Sequence, residues 1–135
     1  MTPVDLIRLI GISHLLQPPL TWLLASEIGL NLRATLTPTG AFGAQIIQNM
    51  AFASVGLPTA LGLILAVHPA DTLHPGAAQS VALIVVVFWS WRLYRQVFVL
   101  RRLWPSAGRL NATLNFVLTV IFLVQGPGLG LLLLS

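Results

Sequence analysis

The sequence predicts an all-α integral membrane protein, an antiparallel four-helix transmembrane bundle, and three observations predict it. Of the 135 residues, 56% are hydrophobic and only 7% are charged, with a mean hydropathy of +0.90. A soluble domain carries about 25% charged residues, so water is the wrong solvent for most of this surface. The apolar residues fall into four windows near or above the roughly 20 residues needed to cross hydrocarbon. The segments between them are short, which makes consecutive spans antiparallel neighbours. The length fits one transmembrane domain over residues 1–135, with no second domain.

The first window runs from about Leu6 to Leu30 and the second from about Ala41 to Val67. The third runs from about Ala77 to Leu100, and the fourth from about Leu110 to Leu134. Breakers separate them: Asn31 to Gly40 with Pro38, His68 to Gly76 with Pro69 and Pro75, and Pro105 to Gly108. The first window reads as a retained span. A cleaved signal has a basic start and an unbroken apolar core, whereas here Asp5 precedes Arg8, and His14, Gln17, Pro18 and Pro19 interrupt the run.

Prolines mark where the spans deform. Pro18-Pro19 predicts a kink, because each ring removes a backbone donor and crowds the preceding turn. Neighbouring helices or Ser/Thr side chains re-satisfy the freed carbonyls. Pro58 predicts a milder disturbance of the second span, and Gly126-Pro127-Gly128 a bend or break near the end of the fourth. In the second span Ala53, Gly56, Ala60, Gly62 and Ala66 allow close helix approach, inside the bundle or between protomers.

Arginine sets the orientation. All seven basic residues are Arg, against three acidic residues. Arg33 follows the first span, and Arg101, Arg102 and Arg109 follow the third; the opposite side has only Arg8. Positive residues stay cytoplasmic, so both termini are expected outside a cell membrane of the bacterial inner-membrane type. The pI near 11.6 does not indicate nucleic acid, which needs a basic face on a water-soluble fold.

With that topology, a rise of 1.5 Å per residue places polar side chains at one level. Measured from Arg101, Arg95 lies about 9 Å inward and Arg92 about 13 Å. Counted from Gly40, Gln45 lies about 7 Å in, with Gln48 and Asn49 at about 12–14 Å. From Arg109, Asn111 lies about 3 Å in and Asn115 about 9 Å. Glu27 closes the inner end of the first span. Gln45, Gln48 and Asn49 share one helix face, as do Arg92, Arg95 and Gln96, and each stripe is expected to turn into the bundle, away from lipid. Glu27 is the acid available to pair with Arg92 or Arg95.

Two readings of this cluster compete. The arginines can snorkel to the headgroups, with Trp89, Trp91, Tyr94 and Trp104 as an interfacial aromatic belt and the amides as interhelical glue. Alternatively Glu27, Gln45, Gln48, Asn49, Arg92, Arg95 and Asn115 form a ligand-binding pocket, since ionisable groups inside a membrane are functional suspects. The readings differ in whether Arg92 is solvated. His14 and Gln17 share a face near mid-depth and fit a proton relay, a haem ligand or, more economically, helix packing.

No catalytic motif is present, and the carboxylates are too far apart in sequence for a paired acid–base site. The chain has no cysteine, which removes thiolate metal sites and disulfides. His68, Asp71 and His74 lie within one loop, but three such ligands without a fourth do not define zinc. No cofactor or metal is therefore expected. Three functional classes remain. The first is a non-enzymatic membrane protein or accessory subunit of a larger complex. The second is a small oligomeric transporter or channel with a polar path from the inner cluster to His14 and Gln125. The third is a binder or enzyme for a lipid or isoprenoid-like molecule, with Arg92 and Arg95 gripping an anionic headgroup. The partners implied are the bilayer, an anionic headgroup, and a second copy or larger membrane assembly.

Overall fold

Thr2 starts the first helix. Its hydroxyl accepts the Asp5 backbone N–H at 3.2 Å, while the Asp5 carboxylate accepts the Thr2 backbone N–H at 2.9 Å. This capping box, with Pro3 in the first turn, satisfies donors that the helix itself leaves open. Hydrogen bonds from the Thr2 backbone and side chain hold the exposed Asp5 carboxyl below its ordinary range. The helix therefore begins ahead of the apolar window expected from Leu6.

The computed structural model describes residues 1–26, 40–100 and 108–135, with the isolated positions 31, 34 and 38. Helix α1 covers Pro3–Ser13, a 3₁₀ turn covers His14–Leu16, and α2 covers Gln17–Ala25. Helix α3 covers Gly40–Val67, and a 3₁₀ turn at Asp71–Leu73 leads to α4, Ala77–Tyr94, which continues as a π-helical segment at Arg95–Leu100. Helix α5 covers Arg109–Leu123, followed by a π-helical segment at Val124–Gly128 and α6, Leu129–Leu134. Glycines with positive φ stand where α3 and α5 begin, Gly40 at +74° and Gly108 at +90°, values that a side chain would strain.

Among the described residues the fold is all-helical, with four helical rods. Three of these, Gly40–Val67, Ala77–Val99 and Arg109–Leu134, are long and apolar enough to cross a membrane by length and composition. Glu27, Arg33, Arg101, Arg102 and Trp104 lie outside the described residues, as does the side chain of Gln48.

Each proline is accommodated differently. Ahead of Pro18 the helix tightens, and the carbonyl of His14 takes the Gln17 N–H plus a long contact from the Thr59 hydroxyl at 3.4 Å. The Thr59 hydroxyl donates to the Val55 carbonyl of its own helix at 2.7 Å, so the carbonyl that Pro18 leaves open is served by the Gln17 N–H of the tightened turn. Helix α3 runs through Pro58 without interruption. At Pro127, where a bend or break is expected, the helix changes type without ending. The chain widens into a π turn in which the Leu129 N–H reaches the Val124 carbonyl five residues back, and helix resumes to Leu134.

The interior is small. Ile7, Ile10, Leu65, Ala82, Val85, Trp89, Leu118, Phe122 and Leu129 make one cluster drawn from all four rods. Trp89 anchors it, stacked on Phe122 with centroids 4.9 Å apart and 20° between planes, and edge-on to Phe88 at 4.9 Å. Outward faces carry the larger apolar load: Trp22, Phe42, Val87, Phe116 and Leu131 are each more than two-thirds exposed. Exposed apolar surface on this scale marks a protein–protein or membrane interaction surface.

Close helix approach rests on three glycines. A β-carbon on Gly11 would lie 2.5 Å from the Ala66 backbone nitrogen and 2.6 Å from the Gly62 carbonyl oxygen. One on Gly62 would lie 2.3 Å from His14 Cγ, and one on Gly126 2.7 Å from the Ser90 backbone nitrogen. Of the small residues expected to mediate packing, Gly62 and Ala66 therefore serve α1 inside the fold, whereas Ala53 and Ala60 are exposed.

Candidate functional site

Two polar layers lie along the bundle, separated by Phe122. The first is centred on His14, which is fully buried. The 3₁₀ turn sends the His14 backbone N–H to the Gly11 carbonyl, and side chains take the Ile10 carbonyl instead. His14 Nδ1 donates to it at 2.8 Å, and the Ser13 hydroxyl donates at 2.6 Å. On the far side of the ring, Trp89 Nε1–H donates to His14 Nε2 at 2.8 Å. An indole nitrogen only donates, so Nε2 must carry the lone pair and Nδ1 the hydrogen. The imidazole is neutral, with one tautomer fixed by its partners.

Gln17 and Gln125 complete this layer. Gln17 Nε2 donates to Gln125 Oε1 at 2.9 Å, and Gln125 Nε2 donates to Ser13 Oγ at 2.9 Å. Both glutamines are buried. The chain Gln17 to Gln125 to Ser13 to the Ile10 carbonyl joins α2, the π turn before α6, and α1. Gln17 sits beside the Pro18-Pro19 pair and Gln125 beside Pro127, so helix irregularity and buried amide coincide twice. Helical spacing puts His14 and Gln17 on one face but identifies no partner for His14. Trp89, expected in an interfacial belt, is instead a core residue, with only 1% of it exposed. An indole binding a histidine across two helices has no signature in spacing.

The second layer is centred on Arg92. Its guanidinium carbon lies 5.5 Å from the Phe122 ring centroid, and Arg95 lies 5.7 Å from the centroid of Trp91. Arg92 is half-buried and Arg95 exposed. Among the described residues no carboxylate lies within salt-bridge distance of either. Arg92 also lines a groove of about 420 Å³ between α3 and α4, with Ile47, Met50, Ser54, Phe88 and Trp91. Gln96, buried, donates to Asn115 Oδ1. These two amides open on a groove of about 290 Å³ with Val97, Ala112, Phe116 and Thr119. Asn111, one turn away on α5, is buried.

Among the described residues, the set expected to converge does not gather as one pocket. Asn115 meets Gln96, a residue on the arginine stripe, and Arg92 turns to an aromatic face. Gln45 and Asn49 are exposed, and Gln45 Nε2 donates to Asn49 Oδ1 along their own helix at 3.0 Å. Their stripe points outward because the inner face of α3 is fixed by Pro58, Gly62 and Leu65, and Gln45 and Asn49 fall away from it at 3.6 residues per turn. Glu27 lies outside the described residues. In the loop after α3, His68 Nδ1 is 3.3 Å from the Asp71 carboxylate, both exposed, and Thr72 caps the Pro69 carbonyl at 2.7 Å. Compared with known protein families, curated proteins and solved structures, the chain matches none.

Proposed function

We propose that the chain is a non-enzymatic, multi-pass accessory protein of a bacterial-type cell membrane that holds a lipid-like anionic amphiphile at Arg92. In this reading residues 1–135 form one domain of four antiparallel spans with both termini outside. The observation that carries it is the groove between α3 and α4, where one guanidinium caps a wall of Ile47, Met50, Phe88 and Trp91. A cation inside an apolar groove is costly unless an anion joins it. A phosphate or carboxylate headgroup supplies that charge, and its tail fits the apolar wall. Arg95, whose guanidinium lies over the ring of Trp91, a residue that lines the groove, adds a second donor set.

The transporter reading receives less support. It needs free polar groups linking the cytoplasmic cluster to His14 and Gln125, yet those two are bonded to Trp89, Gln17 and Ser13. Phe122 stands one turn from Gln125 on the way to Asn115.

Replacing both arginines tests the proposal. The Arg92→Ala/Arg95→Ala protein should insert normally and lose affinity for co-purified anionic lipid by at least about tenfold, the effect of one charge-assisted hydrogen bond. Native mass spectrometry in detergent reads this, and Arg92→Lys should restore part of the binding. Normal insertion with unchanged bound lipid would refute the headgroup site. Orientation is tested separately. Because the chain lacks cysteine, Asp71→Cys supplies a single thiol at an exposed loop position. A membrane-impermeant maleimide should label it in intact cells; labelling only after lysis would invert the topology.

A further inference from the structure

The outer face of α3 has a pattern that lipid does not satisfy. Relative to the buried Pro58, Gly62 and Leu65, the positions diametrically opposite are Phe42, Asn49, Ala53, Gly56, Ala60 and Val67. Together with Ile46 and Leu63 they step by alternating four and three residues, the spacing of a helix–helix seam. Asn49, Ala53 and Ala60 are exposed, as is Gln45 beside them. The Gln45–Asn49 hydrogen bond uses one donor and one acceptor. It leaves Gln45 Oε1 and the Asn49 amide hydrogens without a described partner. Asn49 lies about 14 Å and Gln45 about 7 Å from the start of a 28-residue apolar helix; at the depth of Asn49 hydrocarbon offers no partner, and an unsatisfied amide there is strongly disfavoured.

We infer that this face of α3 is the contact surface for a second copy of the same chain, packed parallel about a two-fold axis along the membrane normal. The inference rests on the membrane-spanning reading above but not on the lipid site. Three features select a second copy. An amide both donates and accepts, so Asn49 facing Asn49 across a two-fold axis satisfies both copies with identical chemistry. Two chains inserted in the same direction place their Asn49 residues at the same depth, which an antiparallel pairing would not. Ala53, Gly56 and Ala60 lie next along the seam and let the two backbones approach where the helices cross. A single polar residue in an otherwise apolar seam sets its register. The Arg92 groove opens on the side of α3 carrying Ile47, Met50 and Ser54, so the dimer leaves it free.

Single cysteines in native membranes test this. Ala53→Cys and Ala60→Cys should cross-link to covalent dimers with a mild oxidant, whereas Val87→Cys, exposed on α4, should not. In detergent titrations Asn49→Leu should weaken the dimer about threefold, the fold-change corresponding to an interhelical bond of roughly 0.6 kcal/mol. No cross-linking at 53 and 60, cross-linking at 87 to the same extent, or an Asn49→Leu dimer as tight as wild type would each overturn the seam as drawn. A heterologous protein cross-linked at 53 and 60 in place of a second copy would overturn it equally. Alkaline carbonate extraction separates the two levels. A chain released from membranes defeats the membrane-spanning reading, while one that is retained but not cross-linked defeats only the dimer.

Discussion

Trp89→Ala is expected to destabilise the protein by roughly 3–5 kcal/mol, the range for removing a buried tryptophan from a packed interior. Two losses combine. The ring's stack on Phe122 and its edge contact with Phe88 disappear, and packing of this kind is what holds helices together where lipid tails are as apolar as the side chains. His14 Nε2 also loses its donor. Trp89→Phe separates the two effects, because it retains most of the ring contact and removes only the indole N–H. Leaving a buried acceptor unpaired costs about 1–3 kcal/mol, so this variant should fall between wild type and alanine. Unfolding in mixed micelles of increasing denaturing-detergent fraction measures both. A Trp89→Phe protein as stable as wild type would show that the indole–imidazole bond adds nothing.

Gly11→Ala is expected to cost about 1–3 kcal/mol by overpacking, and more if the backbones cannot separate. The added methyl would meet backbone atoms of α3 at 2.5 and 2.6 Å, and backbone cannot rotate aside as a side chain can. Gly62→Ala should be comparably damaging by another route, since its methyl would strike the His14 ring and displace it from Trp89. Gly130→Ala is the comparison: its nearest contact is a Val86 methyl at 3.2 Å, and alanine favours the helix, so its effect should be small. If all three variants unfolded alike, the close crossing of α1 and α3 would not be a source of stability.

What the sequence made legible was whatever depends on local composition. Apolar runs located α3, α4 and the fourth rod to within a few residues, and the proline pair at 18 and 19 marked a real change of helix type. At Gly126-Pro127-Gly128, where the sequence predicts a bend or break, the chain changes to a π turn with Gly126 against the Ser90 backbone, and helix continues beyond it. Facing was less legible than position. The spacing of Gln45 and Asn49 correctly put them on one side of α3, but which side turns inward is decided by where α1 and α4 pack. Gln96 pairs with Asn115 on the next helix, and Trp89 pairs with His14 across 75 residues. With one sequence, such partners are visible only once the helices are placed.

The tautomer of His14 also has a consequence for leakage. Protons hop along a hydrogen-bonded file only if each member can accept on one side and release on the other. An indole N–H only donates, so the file ends at Trp89, and the opposite imidazole nitrogen is tied to the Ile10 carbonyl, which releases nothing. The glutamine chain ends on the same carbonyl through Ser13. Among the described residues, a histidine and two glutamines are thus held deep among the helices by bonds that end on carbonyl and indole groups and offer no through-path for a proton.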